Sequence, residues 1–463
     1  MRATLRSNAG SRPGAHASAA CRFAIALLST LALAHTATAA ERELEQAPPP
    51  SSANEIETPL ERAFLRPARK RPLFGKISEA LDKLPPFFAE TQLDARFRTF
   101  YLRKDRTIDI LSEAWAVGGS LYYASGWLAD LFSVEAELFT SQPAVAPEGK
   151  GGTLLLAPVQ NGYTVLGIGN GKLRHRGVTL TGYRQYLGLP YVNRNDSRMT
   201  PNTFEAVTLE KDEGTVRFST GYIWNIKRRN SDEFVSMAEA AGVQRERGLA
   251  YAGVLYQPDK SFHVGASGGI VPDLYAAAYT EAGYTRALTP SLDLRLDGQF
   301  TYQQSVGQEL LISPPFETWN FGLRAATSWE GVVFRLGFSL TGNDRGIFSP
   351  YGSNPSYVDL MQRSFTQADE KALLVSLSYD FAGIGARGLT TIVNFVEGWD
   401  GRILGIRGGA REVDVTMDYR VPESLRLFDG FWFRVRGSWL HDDRTARDGT
   451  DIRVILRYDF PVL

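Results

Sequence analysis

From about residue 90 onward the chain alternates apolar and polar residues with a period of two. In 291–303, Leu292, Leu294, Leu296, Phe300 and Tyr302 fall on one face, and Asp293, Arg295, Asp297, Gln299, Thr301 and Gln303 on the other. Phe334, Leu336, Phe338 and Leu340 oppose Arg335, Gly337, Ser339 and Thr341 in the same way. Val413, Val415, Met417 and Tyr419 oppose Glu412, Asp414, Thr416 and Asp418, and Ile452, Val454, Leu456 and Tyr458 oppose Arg453, Arg457 and Asp459. Such alternation predicts strands with one apolar and one polar face.

The connections alternate as well. Short ones carry turn chemistry, at 211–214, 257–260, 288–290 and 329–331. Longer, polar, Gly/Pro-rich stretches lie between them, at about 140–160, 187–203, 228–247, 304–317, 342–370 and 398–410. Counting along predicts about 18 strands, with nine long connections separated by eight short turns. A soluble all-β protein, as paired sandwiches or a propeller, is the competing reading, and its strands would average about 5 to 6 residues. The strands here run to about 9 to 12, the length a tilted membrane-crossing strand needs. Their apolar faces end in aromatics such as Tyr222/Trp224 and Tyr458/Phe460, as interfacial girdles do. The expected fold is therefore all-β, a transmembrane antiparallel β-barrel spanning 91–463.

Composition sharpens this only after the N-terminus is set aside. The 463 residues hold 51 Lys+Arg against 51 Asp+Glu, with one Cys. A neutral balance argues against a nucleic-acid protein. Residues 1–40 carry Arg2, Arg6, Arg12 and Arg22, no acid, the apolar run Phe23–Leu33 and the small residues Ala37–Ala40. They read as a cleaved secretory signal peptide, too short in apolar length to span a bilayer. Without those four arginines the exported chain has a formal charge of −4, and without Cys21 it has no thiol. Residues 41–90 read as a flexible periplasmic leader, with Pro48–Pro50, the basic cluster Arg66, Arg69, Lys70 and Arg71, and a short amphipathic helix built on Phe74, Ile77, Leu81 and Leu84.

If the apolar faces meet lipid, the polar faces line a lumen, and a barrel of this strand number encloses water. Inward positions then include Arg96, Arg98, Arg217, Arg295, Arg324, Arg335, Arg434, Arg436, Arg453 and Arg457, interspersed with Asp94, Asp293, Asp297, Asp380, Asp414 and Asp418. Two readings stay open: a solvated wall whose charges pair between neighbouring strands, or a file of guanidinium groups that conducts carboxylates, since a planar fork binds a carboxylate bidentately. Gly167, Gly169 and Gly171 form a GxGxG without a following helix pattern, so a nucleotide site is not expected there. His175, His263 and His441 are scattered, and no metal or other cofactor is expected.

Three segments resemble the OprD-like substrate-specific porins of Gram-negative outer membranes. LDARFRTFYLRKD, Leu93–Asp105, is similar to that family's opening strand. LPYVNRNDSRMTPNTF, Leu189–Phe204, resembles its constriction loop through Asn195, Asp196, Ser197, Arg198, Pro201, Thr203 and Phe204. SYDFAGIGARGLT, Ser378–Thr390, resembles its strand-turn-strand, and Tyr351–Tyr357 is similar in Asn-Pro and aromatic content. The resemblance covers about residues 87–463. It implies a barrel narrowed by an inward-folded loop between strands 5 and 6, with a basic ladder and an eyelet that pass small carboxylate-bearing molecules such as amino acids and aromatic acids. The candidate constriction residues are Arg194, Asn195, Asp196, Ser197 and Arg198. Arg194 departs from the family pattern, and the leader is longer than the family's.

The expected function is a passive, substrate-selective diffusion channel, not an enzyme, exported to the cell outer membrane. Expected partners are outer-membrane lipid, small solutes and the barrel-assembly machinery, for a monomer or homotrimer and with no nucleic acid. Two other readings fit the same alternation: a plugged structural or adhesive barrel, and a barrel-embedded hydrolase, for which no GxSxG setting is present.

Overall fold

The computed structural model describes residues 77, 80–107, 111–312, 314–421, 430–444 and 448–463. The signal peptide and the leader through Lys76 lie outside the described residues. Within the expected amphipathic helix, Ile77 and Leu81 are helical, and a separate single turn, α1 (Pro86–Ala89), follows.

Eighteen strands form the wall. The first nine are β1 (Gln92–Arg106), β2 (Ser112–Ala124), β3 (Phe132–Val145), β4 (Tyr163–His175), β5 (Val178–Gln185), β6 (Thr203–Asp212), β7 (Val216–Lys227), β8 (Leu249–Tyr256) and β9 (Phe262–Val271). The rest are β10 (Tyr275–Thr289), β11 (Leu292–Ser305), β12 (Glu317–Trp329), β13 (Val332–Thr341), β14 (Lys371–Asp380), β15 (Leu389–Ile403), β16 (Ile406–Arg420), β17 (Phe431–Asp442) and β18 (Gly449–Pro461). Each pairs antiparallel with its neighbours in the chain. β1 also pairs with β18, from Asp94 opposite Pro461 to Arg106 opposite Gly449, so the sheet closes on itself. Strand lengths run from 8 residues in β5 to 15 in β1, wider than the expected range.

Of the nine connections at the end where β1 leads, five are long: 146–162, 186–202, 228–248, 306–316 and 342–370. The stretch 398–410 is not the expected loop. It is an extended hairpin in which Gly401 pairs with Gly408 and Ile403 with Ile406, turning at Leu404 and Gly405. Both turn residues have positive φ, 49° and 81°. That backbone matches the twist of the flanking strands, so its glycines build a hairpin where composition suggested a loop.

The alternation read from the sequence emerges as an inverted solubility pattern. On β11 the outward Leu296 and Phe300 are 50% and 41% exposed, whereas inward Asp297, Gln299, Thr301 and Gln303 are buried. Outward Phe334, Leu336, Met417 and Ile452 are exposed, and inward Arg335, Ser339, Asp414, Thr416 and Arg453 are buried. A sheet with exposed leucines and buried arginines is stable only where its outer surround is hydrocarbon. Leu323, near the middle of β12 and 49% exposed, tests this. Leu323→Arg lowers unfolding stability in phospholipid vesicles by about 2–4 kcal/mol, read by denaturant titration, as expected for a charge on a lipid face; an unchanged midpoint would mean that this face does not meet lipid.

Candidate functional site

The loop between β5 and β6, 186–202, turns into the barrel. Gly188–Leu189 and Val192–Asn193 pair as a small hairpin around Pro190–Tyr191, with Tyr191 in the left-handed region at φ 64°. Leu187, Leu189 and Val192 are buried in one cluster with Phe204, Ile223, Ile226, Tyr275 and Tyr351. Burying an aliphatic side chain of this size contributes about 1.5–3 kcal/mol, which holds the loop in the lumen. From the apolar hairpin, Tyr191 reaches β11, its hydroxyl 2.7 Å from Thr301 Oγ1. From the polar end, Asp196 receives a two-pronged pair of hydrogen bonds from Arg98 on β1, at 2.7 and 3.1 Å. Because β1 and β11 lie on roughly opposite sides of an eighteen-strand ring, one loop bonded to both crosses the lumen.

Arg98 is buried, and besides Asp196 it donates to the carbonyls of Arg198 and Met199 at 2.5 and 3.3 Å. Burial alone would raise the Asp196 carboxyl, but the Arg98 guanidinium outweighs it and holds it well below the usual carboxylate range. Arg198 is buried and donates Nε to the Thr153 carbonyl (2.7 Å) and Nη1 to the Ser197 carbonyl (2.7 Å). Arg229, from the β7–β8 loop, donates Nη1 to Asn195 Oδ1 at 3.0 Å and to Ser197 Oγ. Two guanidiniums thus meet at Ser197, and among the described residues neither has a carboxylate within ion-pair distance. Burial, followed by Arg453, Arg229 and Arg436, drives the Arg198 guanidinium well below its ordinary value. Burial and Arg453 bring Arg229 down to about 10. Arg194 stacks over the Tyr186 ring at 3.9 Å, and Tyr186 in turn donates to Glu137 at 2.7 Å.

The inward wall arginines separate into groups. β17, β18 and β1 are adjacent, and their register sets Arg436 beside Arg453, and Arg457 beside Arg98, with Arg96 beside Asp459. Arg434, Arg436, Arg453, Arg457, Arg98 and Arg96 therefore descend one wall, the wall that Asp196 touches. Arg217, Arg295, Arg324 and Arg335 stand apart on β7, β11, β12 and β13. Most of these charges are matched locally. Arg434 binds Asp418 with both prongs (2.6 and 2.7 Å), and Arg453 binds Asp451 likewise (2.8 and 2.8 Å). Arg457 and Arg96 share Asp459, and Arg96 also faces Glu137 at 3.5 Å. Arg295 and Arg324 share Asp297 (2.9 Å each), and Arg217 lies 3.6 Å from Asp212. Arg436 donates to Thr416 Oγ1 at 3.0 Å, and Arg335 to Ser376 Oγ at 3.3 Å.

Two contributors, Arg229 and Lys227, escaped the sequence reading, and the 342–370 loop, read there only as a long connection with family-like Tyr351–Tyr357, takes a further role. Arg229 sits in a loop without periodicity; its only signal is the basic run Lys227–Arg228–Arg229 at the end of a strand. Lys227 is fully buried, its Nζ giving bonds to Thr200 Oγ1 (3.2 Å) and the Pro201 and Arg228 carbonyls (3.0 Å each), so it pins the far leg of the 186–202 loop. The β13–β14 loop, 342–370, also folds inward: Tyr351 is fully buried, its carbonyl accepts from Asn193 N at 3.4 Å, and its hydroxyl donates to the Met237 carbonyl at 2.7 Å. Loops 186–202 and 342–370 thus meet inside the barrel, where Arg229 and Met237 of the 228–248 loop join them. Gly167, Gly169 and Gly171 lie within β4. Among the described residues no set of His, Cys, Asp or Glu is arranged to hold a metal ion.

The family model described as outer membrane porin, OprD family, matches residues 85–462. Among solved structures, Pseudomonas aeruginosa OccK9 (OpdG) is similar at TM-score 0.76 and 22% identity, over 81% of this chain and 100% of that one. A BenF-like porin from Pseudomonas fluorescens follows at TM-score 0.75 and 19% identity, over 81% and 100%. P. aeruginosa OpdK, solved with vanillate, matches at TM-score 0.73 and 21% identity, over the same shares. No curated protein matches the chain. With nearly all of the barrel matched by the family model and the closed eighteen-strand wall alongside it, the chain belongs to the OprD family of outer-membrane porins.

Proposed function

We propose that this porin passes small carboxylate-bearing solutes, selected where the 186–202 loop faces the β17–β18–β1 wall. The observation that carries this is the pair Arg198 and Arg229, two guanidiniums converging on Ser197 without a carboxylate of their own. The wall arginines are largely neutralised by adjacent aspartates, so the net positive charge at the narrowing comes from these two loop residues and from Arg194. In a narrow, partly dehydrated passage such charges act at short range with little screening. A solute carboxylate supplies the missing partner, and bonding moderate enough to release it again permits conduction. Solute enters among the long loops, crosses the constriction, and descends beside Arg436, Arg453, Arg434, Arg457, Arg98 and Arg96. Family members are porins rather than enzymes, and no covalent step is needed. Insertion by the barrel-assembly machinery, as a monomer or homotrimer, accompanies this reading, and vanillate in OpdK is consistent with an organic acid as cargo.

Two measurements check it. In liposome swelling, Arg198→Ala with Arg229→Ala slows organic acids about tenfold relative to neutral sugars of equal size, the factor that follows from losing one modest charge-assisted bond of about 1.4 kcal/mol; equal slowing of both solutes would sink the selectivity. Asp196→Asn breaks the anchor on Arg98 and raises single-channel conductance by freeing the loop. The folded carboxyl is depressed, so the anchor is present above the ordinary carboxylate range and is lost only as pH falls through the lower folded value. The wild-type channel accordingly keeps its narrow state at about pH 4, where an unperturbed carboxyl is already half protonated, and a conductance jump there would contradict the anchor.

A further inference from the structure

The β13–β14 loop is held against the wall by two carboxylates that face the same way on one strand. Glu412 and Asp414, alternate residues of β16, are 0% and 1% exposed. Glu412 Oε1 accepts the Gln362 backbone N–H at 2.8 Å and the Ser438 hydroxyl at 3.0 Å. Asp414 Oδ2 accepts the Met361 backbone N–H at 3.0 Å. The opposite lip of the same turn is fixed by Arg453, which donates to the Met361 carbonyl at 3.2 Å, and by Gln362 Nε2, which donates to Ser438 Oγ at 2.7 Å. The remaining oxygens, Glu412 Oε2 and Asp414 Oδ1, are buried and meet no donor, while the two side chains stand within hydrogen-bonding range of each other. Two buried acceptors in that position lack one thing, a proton between them.

We propose that Glu412 and Asp414 share a single proton, and that this proton lets β16 hold the 359–363 turn inside the lumen, so that its loss releases the turn and widens the channel.

The surrounding charges agree with one negative charge on the pair rather than two. From the loop itself come Asp359 and Arg363, the latter spent on Asp442 of β17 and Glu370. From β17 comes Arg436, a cation that faces Asp414. From β18 come Asp451 and Arg453, paired with each other. Opposite the pair on β15 stand Asn394 and Val396, which carry no charge. Asp359 faces Asp414, and its burial together with that neighbour pushes its carboxyl up to about 7. It is therefore neutral in acid and adds a further negative charge to the same spot as the medium passes neutrality. A carboxyl raised on docking favours the docked loop below the ordinary carboxylate range, and that preference is lost as pH rises through the folded value. The turn is latched in acid and released toward alkaline pH.

Single-channel conductance of the mature protein in planar bilayers, from roughly pH 5 to pH 9, tests this. The wild-type channel should show a small and a large conductance level, with the large-to-small occupancy rising by up to about tenfold per pH unit for each proton released. Glu412→Gln replaces the shared proton with a permanent amide donor, so it should stay in the small level throughout; Asp414→Asn supplies the donor from the other side and should do the same. Glu412→Ala with Asp414→Ala removes both acceptors and should hold the large level at every pH. Recordings count only inserted channels, so a variant that fails to fold contributes nothing rather than a false result. A wild-type channel without a pH step, or a step that persists unchanged in both amide variants, would overturn the latch.

Discussion

Everything in this molecule depends on backbone hydrogen bonds that water cannot supply. A strand crossing hydrocarbon must find a partner for every N–H and C=O, and the register of β1 against β18 provides it for the first and last strands. Closure then divides the side chains by parity. Residues of one parity meet lipid and must be apolar; residues of the other face an enclosed space too wide for side chains from the wall alone to fill. Long loops at one end can therefore turn inward, and those at 186–202 and 342–370 do. Their apolar residues Leu187, Leu189, Val192 and Tyr351 join wall residues such as Phe204 and Tyr275 and Met237 of the 228–248 loop in one cluster, a hydrophobic core located inside the barrel rather than between sheets.

That arrangement also decides which charges matter. A guanidinium on the wall has carboxylates within reach on the same strand or the next, as Arg453 has Asp451 and Arg434 has Asp418. Within such pairs the opposite charges offset each other, which limits the net field they contribute. A guanidinium brought in on a loop takes whatever partners the folded loops bring near it, as Arg198 takes the Thr153 carbonyl. Asp196 is already committed to Arg98, so Arg198 and Arg229 are left with carbonyls, an amide and a hydroxyl. On the proposed reading, Arg198 and Arg229 matter at the 186–202 loop because they arrive there without a carboxylate within ion-pair distance among the described residues.

Much of the wall was legible in the sequence because a barrel imposes a rule on every residue of a strand. Leu296 against Asp297, Phe334 against Arg335 and Met417 against Asp418 fall on the expected faces, since one misplaced parity would bury a charge in lipid. The Asn195–Arg198 motif was legible through its family resemblance. What escaped notice obeys no period. The hairpin at Leu404–Gly405 has the glycine content of a loop, and only its positive φ angles make it a turn between strands. Arg229, and the contact though not the presence of Tyr351, act far along the chain, with Ser197 and with Met237, and no spacing rule connects them. For the inward arginines, which carboxylate each one meets, as Arg434 meets Asp418 and Arg453 meets Asp451, could be read only from the register.

The two inward loops are fastened by opposite chemistry, and this gives them different responses to the same medium. The 186–202 loop is held by a carboxylate bonded to a guanidinium, which favours the ionised form and persists into acid. The 342–370 loop is held partly by carboxylates that accept backbone N–H groups from its 361–362 turn, where like charges oppose each other. Were both loops fastened by Arg–Asp pairs, the lumen would keep one bore from acid to alkali. With one fastening that tolerates charge and one that does not, the proposed latch and the Asp196 anchor answer the same change of pH in different ways.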